Sequence, residues 1–172
     1  MIIGIGGVSR SGKTTLANQL RNQLGINEVK IISQDDFTYP QSDLPIYNGI
    51  VDWEHPDGID FSALKKTLIE QSKKYTHLIV EGFLIYHSLE IRSLIDFKIF
   101  ITINKNTFLN RKAEDNRWGE TPSSYISYIW DSYLKFGTID NISIDLLLKG
   151  SEPFKVAAIT REIVKRSKNN HS

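Results

Sequence analysis

Residues 7 to 14 read Gly7-Val8-Ser9-Arg10-Ser11-Gly12-Lys13-Thr14, matching the phosphate-binding pattern G-x-x-x-x-G-K-[ST] at every fixed position. Gly7 and Gly12 let the backbone curl with no Cβ in the way. Successive N–H groups of the run, with Thr15 just beyond it, then point inward as an anion nest. Lys13 supplies a mobile positive charge for the outer phosphates, and the Thr14 hydroxyl is a hard ligand for Mg²⁺. The chemistry implied is the gripping of a nucleoside triphosphate. Three acids follow apolar runs further along the chain. Asp35 and Asp36 come directly after Val29-Lys30-Ile31-Ile32-Ser33, and Glu81 closes His77-Leu78-Ile79-Val80. Phosphoryl transfer asks a protein for alignment, charge neutralisation and a group that takes the nucleophile's proton. An aspartate of the Asp35-Asp36 pair, placed near Mg²⁺, answers that last need, and Glu81 is suited to hold a magnesium-bound water.

A second set of residues suits an acceptor. The segment from about 38 to 59 carries Pro40, Pro45, Gly49, Pro56 and Gly58, and a structureless connection of this length is uncommon unless it works as a lid or binding loop. Within it Tyr39, Tyr47 and Trp53 offer flat faces, and Glu54 adjoins the tryptophan. An aromatic beside a carboxylate suits a nucleoside, by stacking on the base and accepting from ribose hydroxyls; a small satellite core beneath the loop is the competing reading. The run Asn110-Arg111-Lys112-Ala113-Glu114-Asp115-Asn116-Arg117 is the lid candidate, within a segment of about 106 to 122. Cations closing over a γ-phosphate stabilise charge in transit and exclude water, which nominates Arg111, Lys112 and Arg117.

The elements that must position these residues follow from periodicity. Strands are predicted near Met1–Ile5, Val29–Ser33, His77–Gly82, Phe97–Ile103 and Ile142–Leu148, each a short β-branched or apolar run. Helices are predicted after the glycine loop through Leu24, from an Asp60 cap through Leu68 and Ile69, from Asn106 to Asn116, from Ser123 to Phe136 and from Glu152 to Lys165. Tyr125, Tyr128, Trp130, Tyr133 and Phe136 read as packing residues. Strands alternating with helices predict an α/β fold, a parallel sheet covered on both faces. Ligands in such folds bind outside the carboxyl ends of the strands, where the glycine loop, Asp35 and Glu81 all fall.

Bulk properties set the limits. A chain of 172 residues with 40% hydrophobic and 24% charged residues predicts one globular domain spanning 1–172. A net charge of +1 gives no basic field for nucleic acid or anionic lipid. With no cysteine, disulfides and thiolate chemistry are excluded. No run approaches the ~20 apolar residues of a membrane span, so a cytoplasmic protein is expected. Nothing in the composition speaks to oligomeric state.

With these residues in place, the chain resembles the nicotinamide riboside kinases, within the wider uridine kinase-like group. The similarity runs from Ile2 to about Glu152, most specifically in IGIGGVSRSGKTTL (from Ile3), ISQDDF (from Ile32), WEHPDGID (from Trp53), EGFL (from Glu81) and YIWDSYLKF (from Tyr128). The resemblance implies a P-loop NTPase fold with a five-stranded parallel sheet and a small lid. It also implies ATP and Mg²⁺ as donor and cofactor, and a nucleoside as acceptor. By the same resemblance Asp35 corresponds to the proton acceptor near Mg²⁺ and Thr14 to the metal ligand. Asp36, Phe37, Trp53, Glu54, Lys112 and Arg117 would face the acceptor, Lys13 and Arg111 the phosphates, and Gly150-Ser151-Glu152 the adenine. Glu54 stands where an aspartate is usual, and Lys112 where a second arginine is usual. Uridine or cytidine is the alternative acceptor. A GTPase-like switch would need N-K-x-D, and Asn104-Lys105-Asn106-Thr107 ends in threonine.

Overall fold

The computed structural model describes residues 1–115 and 121–169. Seven strands and six helices alternate along them: β1 Ile2–Gly7, α1 Lys13–Leu24, β2 Val29–Ser33, β3 Ile46–Tyr47, β4 Ile50–Val51, α2 Phe61–Ser72, β5 His77–Gly82, α3 Leu89–Leu94, β6 Phe97–Thr102, α4 Lys105–Ala113, α5 Ser123–Phe136, β7 Leu146–Lys149 and α6 Val156–Asn169. As the alternation predicted, the five longer strands form one parallel sheet; the order of its strands is β2-β5-β1-β6-β7.

Two apolar layers cover the sheet, and the strand alternation decides which residue feeds which. Ile3, Ile5, Ile79, Ile99 and Ile101 face α1 and α6, meeting Leu16, Leu20, Ile159 and Ile163. On the other face Leu78, Val80 and Phe100 meet Leu64 and Leu68 of α2, Ile91 of α3, Phe108 of α4, and Ile129 and Trp130 of α5. Burying each such side chain contributes roughly 1.5–3 kcal/mol. Tyr86 shapes this second layer. Its hydroxyl donates to the Gly4 and Ile99 carbonyls, each at 2.9 Å, and a Cβ on Gly6 would meet its ring at 2.5 Å. The glycines of Gly4-Ile5-Gly6 therefore make room for a tyrosine.

Four expectations are corrected. The fifth strand starts at Leu146 rather than Ile142: the Lys98 amide is taken by the Asp145 carboxylate at 2.9 Å, so the ladder with β6 opens only at Ile99–Leu146. The closing helix begins at Val156 and runs to Asn169. Pro153 disfavours helical backbone at Glu152, which instead turns back to the Lys149 carbonyl at 3.2 Å. The segment 38–59 is not structureless. Asn48 and Gly49, both at positive φ, turn the β3–β4 hairpin in the manner of a two-residue Asn-Gly loop, and Thr38 pairs with Ile59 where the segment closes on itself. Finally, α3 is a short helix that periodicity missed, capped by Ser88.

Candidate active site

The phosphate-binding run leaves the carboxyl end of β1 and enters α1 with its backbone in conformations that a side chain resists. Gly7 has φ +144 and Gly12 φ +106, and a Cβ on Gly7 would lie 2.4 Å from the Ile101 carbonyl oxygen. Arg10 also takes positive φ, at 63°. The Ser11 amide donates to the Val8 carbonyl at 3.2 Å and the Lys13 ammonium reaches the same oxygen at 3.1 Å, so the run is a closed cradle. No side chain caps α1, whereas Asp60, Ser88 and Asn104 cap α2, α3 and α4. Its first N–H groups therefore stay open to an anion, where the helix dipole favours negative charge. The Ser11 hydroxyl is buried in the cradle without a hydrogen-bond partner, and Ser9 is half-buried beside it.

A cavity of about 600 Å³ opens over this cradle, lined by Gly12, Lys13, Thr14, Thr15, Arg111 and Phe154 among others. Its far wall is the turn after β7. Gly150 comes so close that a Cβ there would lie 2.2 Å from the Ser11 carbonyl oxygen. Ser151 is exposed, and Glu152 lines the cavity while pairing with Lys149 at 3.4 Å. Arg111 joins both walls: its guanidinium donates to the Arg10 carbonyl at 3.0 Å and to the Gly150 carbonyl at 2.8 Å. The lid cation thus reaches the cavity as a main-chain clamp.

The acids converge from the neighbouring strand ends. Glu81 is buried and accepts from the Thr14 hydroxyl at 3.0 Å and from Ser33 at 3.4 Å. Burial raises its pKa first, with the nearby Asp35 carboxylate adding to the rise; Lys13 and the two hydroxyls oppose it. Asp35 is exposed on a single 3₁₀ turn, Gln34–Phe37. That turn is locked to the end of β5 by Gln34, whose side-chain oxygen accepts from the Leu84 amide at 2.7 Å and whose Cβ packs against Gly82. Thr14, Asp35 and Glu81 are hard oxygen donors beside a phosphate cradle, which fits Mg²⁺; no group of three or more His, Asp or Glu side chains among the described residues forms a metal cage. A cation held largely by phosphates and water needs none.

Glu54 enters the same field from the hairpin loop. Burial pushes its pKa up to about 7, Asp35 and Asp52 push the same way, and Lys112 and Lys13 pull it down. Trp53 beside it leaves 48% of its surface exposed, while Tyr47 stacks on Tyr128 with ring centroids 3.7 Å apart. The two readings of the loop's aromatics therefore divide: Tyr47 packs and Trp53 faces outward. Lys112, 3.8 Å from the buried Asp115 carboxylate, ties the end of α4 to this region; Arg10 meets the same acid at 3.8 Å. Two expected residues stand apart. Asp36 is exposed and makes no hydrogen bond or ion pair among the described residues, and Phe37 packs against the core layer. Arg117 lies outside the described residues, as does part of the lid segment. Sequence reasoning gave no task to Gln34 and Asp115, although they lie within the ISQDDF and lid runs, and did not single out Asp52; all three are buried polar residues.

A parallel five-stranded sheet with a phosphate cradle at the end of its central strand defines a P-loop kinase fold, and the comparisons with known proteins agree. Among solved structures, a gluconokinase from Sinorhizobium meliloti matches over 97% of this chain and 91% of its own, with TM-score 0.63 and 16% identity. A possible uridine kinase from Bacillus stearothermophilus matches over 86% and 88%, with TM-score 0.59 and 21% identity. No protein-family model matches the chain. By sequence it is similar to nicotinamide riboside kinase 1 of Rattus norvegicus, 27% identical over 78% of this chain and 76% of the relative. It is also similar to a uridine kinase of Chlamydia pneumoniae, 26% identical over 99% and 90%. The chain is a small-molecule kinase of the P-loop class, related to nucleoside kinases.

Proposed function

We propose that this protein transfers the γ-phosphoryl group of ATP, with Mg²⁺, to the 5′-hydroxyl of nicotinamide riboside, giving the mononucleotide used in NAD synthesis. One observation carries the choice of acceptor: the outward-facing Trp53 stands beside the acids Glu54 and Asp35. A cationic pyridinium gains from an aromatic face and from nearby negative charge. The names of the relatives support a nucleoside acceptor.

In this reading the α1 N-terminus, Lys13 and the cradle amides bind the β- and γ-phosphates. Arg111 holds the cradle and the β7 turn in register, so the γ-phosphorus has a fixed address. The acceptor hydroxyl gives its proton to Asp35 as its oxygen bonds to the γ-phosphorus. The bond from that phosphorus to the bridging oxygen breaks, and ADP leaves. Thr14, Asp35 and Glu81 would hold Mg²⁺, which when bound neutralises charge on the phosphate oxygens. Glu54 accepts from ribose hydroxyls when ionised, and Lys112 steadies that charge.

Uridine or cytidine is the second reading, favoured by a uridine kinase relative that aligns with 99% of the chain. Steady-state kinetics with nicotinamide riboside, uridine, cytidine and pantothenate decides between them. The highest kcat/KM is expected for nicotinamide riboside, and a higher value for uridine would overturn the acceptor. The switch reading loses its motif, because Asn104 caps α4 by accepting from the Thr107 amide at 2.8 Å.

A further inference from the structure

Helix α5 has a role beyond packing. Its Tyr125 and Tyr128 rings lie in the aromatic stripe, 5.7 Å apart, yet both hydroxyls are spent on the hairpin loop. Tyr128 donates to one carboxylate oxygen of Asp52, and the other oxygen accepts from the Glu54 amide at 3.0 Å. Tyr125 accepts from the Trp53 amide at 3.1 Å. Asp52 itself is 3% exposed, and its own amide donates to the Pro45 carbonyl at 2.7 Å across the base of the hairpin. Three consecutive residues are therefore fixed from one helix, the middle one presenting its ring outward and the last keeping its carboxyl within electrostatic reach of Lys112, Asp35 and Lys13.

We propose that Tyr128, acting through Asp52, and Tyr125, acting directly on the Trp53 amide, are positioning residues that set the Trp53–Glu54 backbone and thereby the affinity for the acceptor alone. This rests on the reading of Trp53 and Glu54 as the acceptor-binding pair. The physical case is that irregular backbone has no ladder of its own to hold two side chains in one geometry. A buried carboxylate that loses a donor must find another or move. Neither tyrosine lines the cavity over the phosphate cradle, so the donor nucleotide is not expected to register their loss.

The test uses whichever alcohol the wild-type protein phosphorylates best, with acceptor and ATP varied separately. Tyr128→Phe keeps the ring that stacks on Tyr47 and removes only the hydroxyl. It is expected to raise the acceptor KM about tenfold, the scale of one hydrogen bond to a charged group, with ATP KM within twofold. Tyr125→Phe is expected to act in the same direction. Asp52→Asn can still accept from Glu54 and donate to the Tyr128 oxygen, so it is expected to stay within about threefold of wild type by the same hydrogen-bond scale; Asp52→Ala is expected to resemble Tyr128→Phe. Both tyrosine variants leaving the acceptor KM unchanged, or raising ATP KM equally, would overturn the proposal. If the best alcohol is not a nucleoside, the nucleoside reading falls instead, and the split between the two KM values still judges the tyrosines.

Discussion

Glu54 is a carboxyl on which opposing demands meet. Burial and the neighbouring Asp35 and Asp52 favour its protonated form, Lys112 and Lys13 its ionised form, and the outcome is a pKa of about 7. An acid raised in this way costs stability as pH climbs from the ordinary carboxylate range through 7, because the unfolded chain gives up the proton earlier than the folded one. Glu54→Gln is therefore expected to raise Tm relative to wild type more at pH 8 than at pH 5, which differential scanning calorimetry reads directly. Function runs the other way: if ribose hydroxyls need the carboxylate, the acceptor KM of the wild type falls between pH 6 and 8, and the variant loses that dependence. Asp35 presents a simpler case, exposed on its turn and close enough to raise both Glu54 and Glu81. Asp35→Asn is expected to lower kcat by ~10²–10⁴, the range for a lost general base, with ATP KM little changed; a near-normal kcat would remove Asp35 from the role.

Among the elements, the phosphate cradle is a joint between three segments distant in sequence. Arg111 from α4 meets Arg10, and Gly150 from the turn after β7 meets Ser11 and Arg111. Gly150→Ala would set a methyl group 2.2 Å from the Ser11 carbonyl oxygen. It is expected to destabilise by about 1–3 kcal/mol, the usual cost of overpacking, and to raise ATP KM; urea unfolding and ATP-saturation kinetics check the two halves. What could be read in advance differs from element to element for physical reasons. The cradle was legible because its glycines, lysine and threonine sit within one unbroken run. The hairpin was not, although Asn48-Gly49 flanked by Ile46, Tyr47, Ile50 and Val51 carries its turn chemistry, because the prolines on either side make the whole segment read as an irregular loop. The start of β7 was not legible, because the apolar run continues back to Ile142 and only the Asp145 contact with Lys98 ends the ladder. Nor were the α5 tyrosines, whose helical spacing describes their rings and says nothing of their hydroxyls.

At the scale of the whole molecule, a parallel sheet with an apolar layer on each face followed from strands alternating with helices, since each central strand feeds two faces, while the strand order is a matter of tertiary pairing that no local pattern encodes. The acids of the candidate site were legible in part: those at strand tips stand out in the sequence, while Asp52 and Asp115 lie in irregular backbone and become meaningful only beside Tyr128, Arg10 and Lys112. Binding should register globally. A non-hydrolysable ATP analogue with Mg²⁺ at a hundredfold excess over Kd is expected to stabilise the fold by about 2.7 kcal/mol. Lys13→Ala is expected to need a higher analogue concentration for the same rise in Tm; an identical titration would remove Lys13 from phosphate binding. The seam at Thr38 and Ile59 has a further consequence. The Tyr39 amide donates to the Gly58 carbonyl at 2.9 Å and the Asp60 amide to that of Phe37 at 2.8 Å, so the chain enters and leaves the hairpin loop almost at one point. A segment hung this way is a cassette. Engineering can trade it for another without touching the ladders of the sheet, provided that the two tyrosine hydroxyls it docks on travel with it, and a lineage built on this fold can change the loop while inheriting the glycine run between β1 and α1 intact.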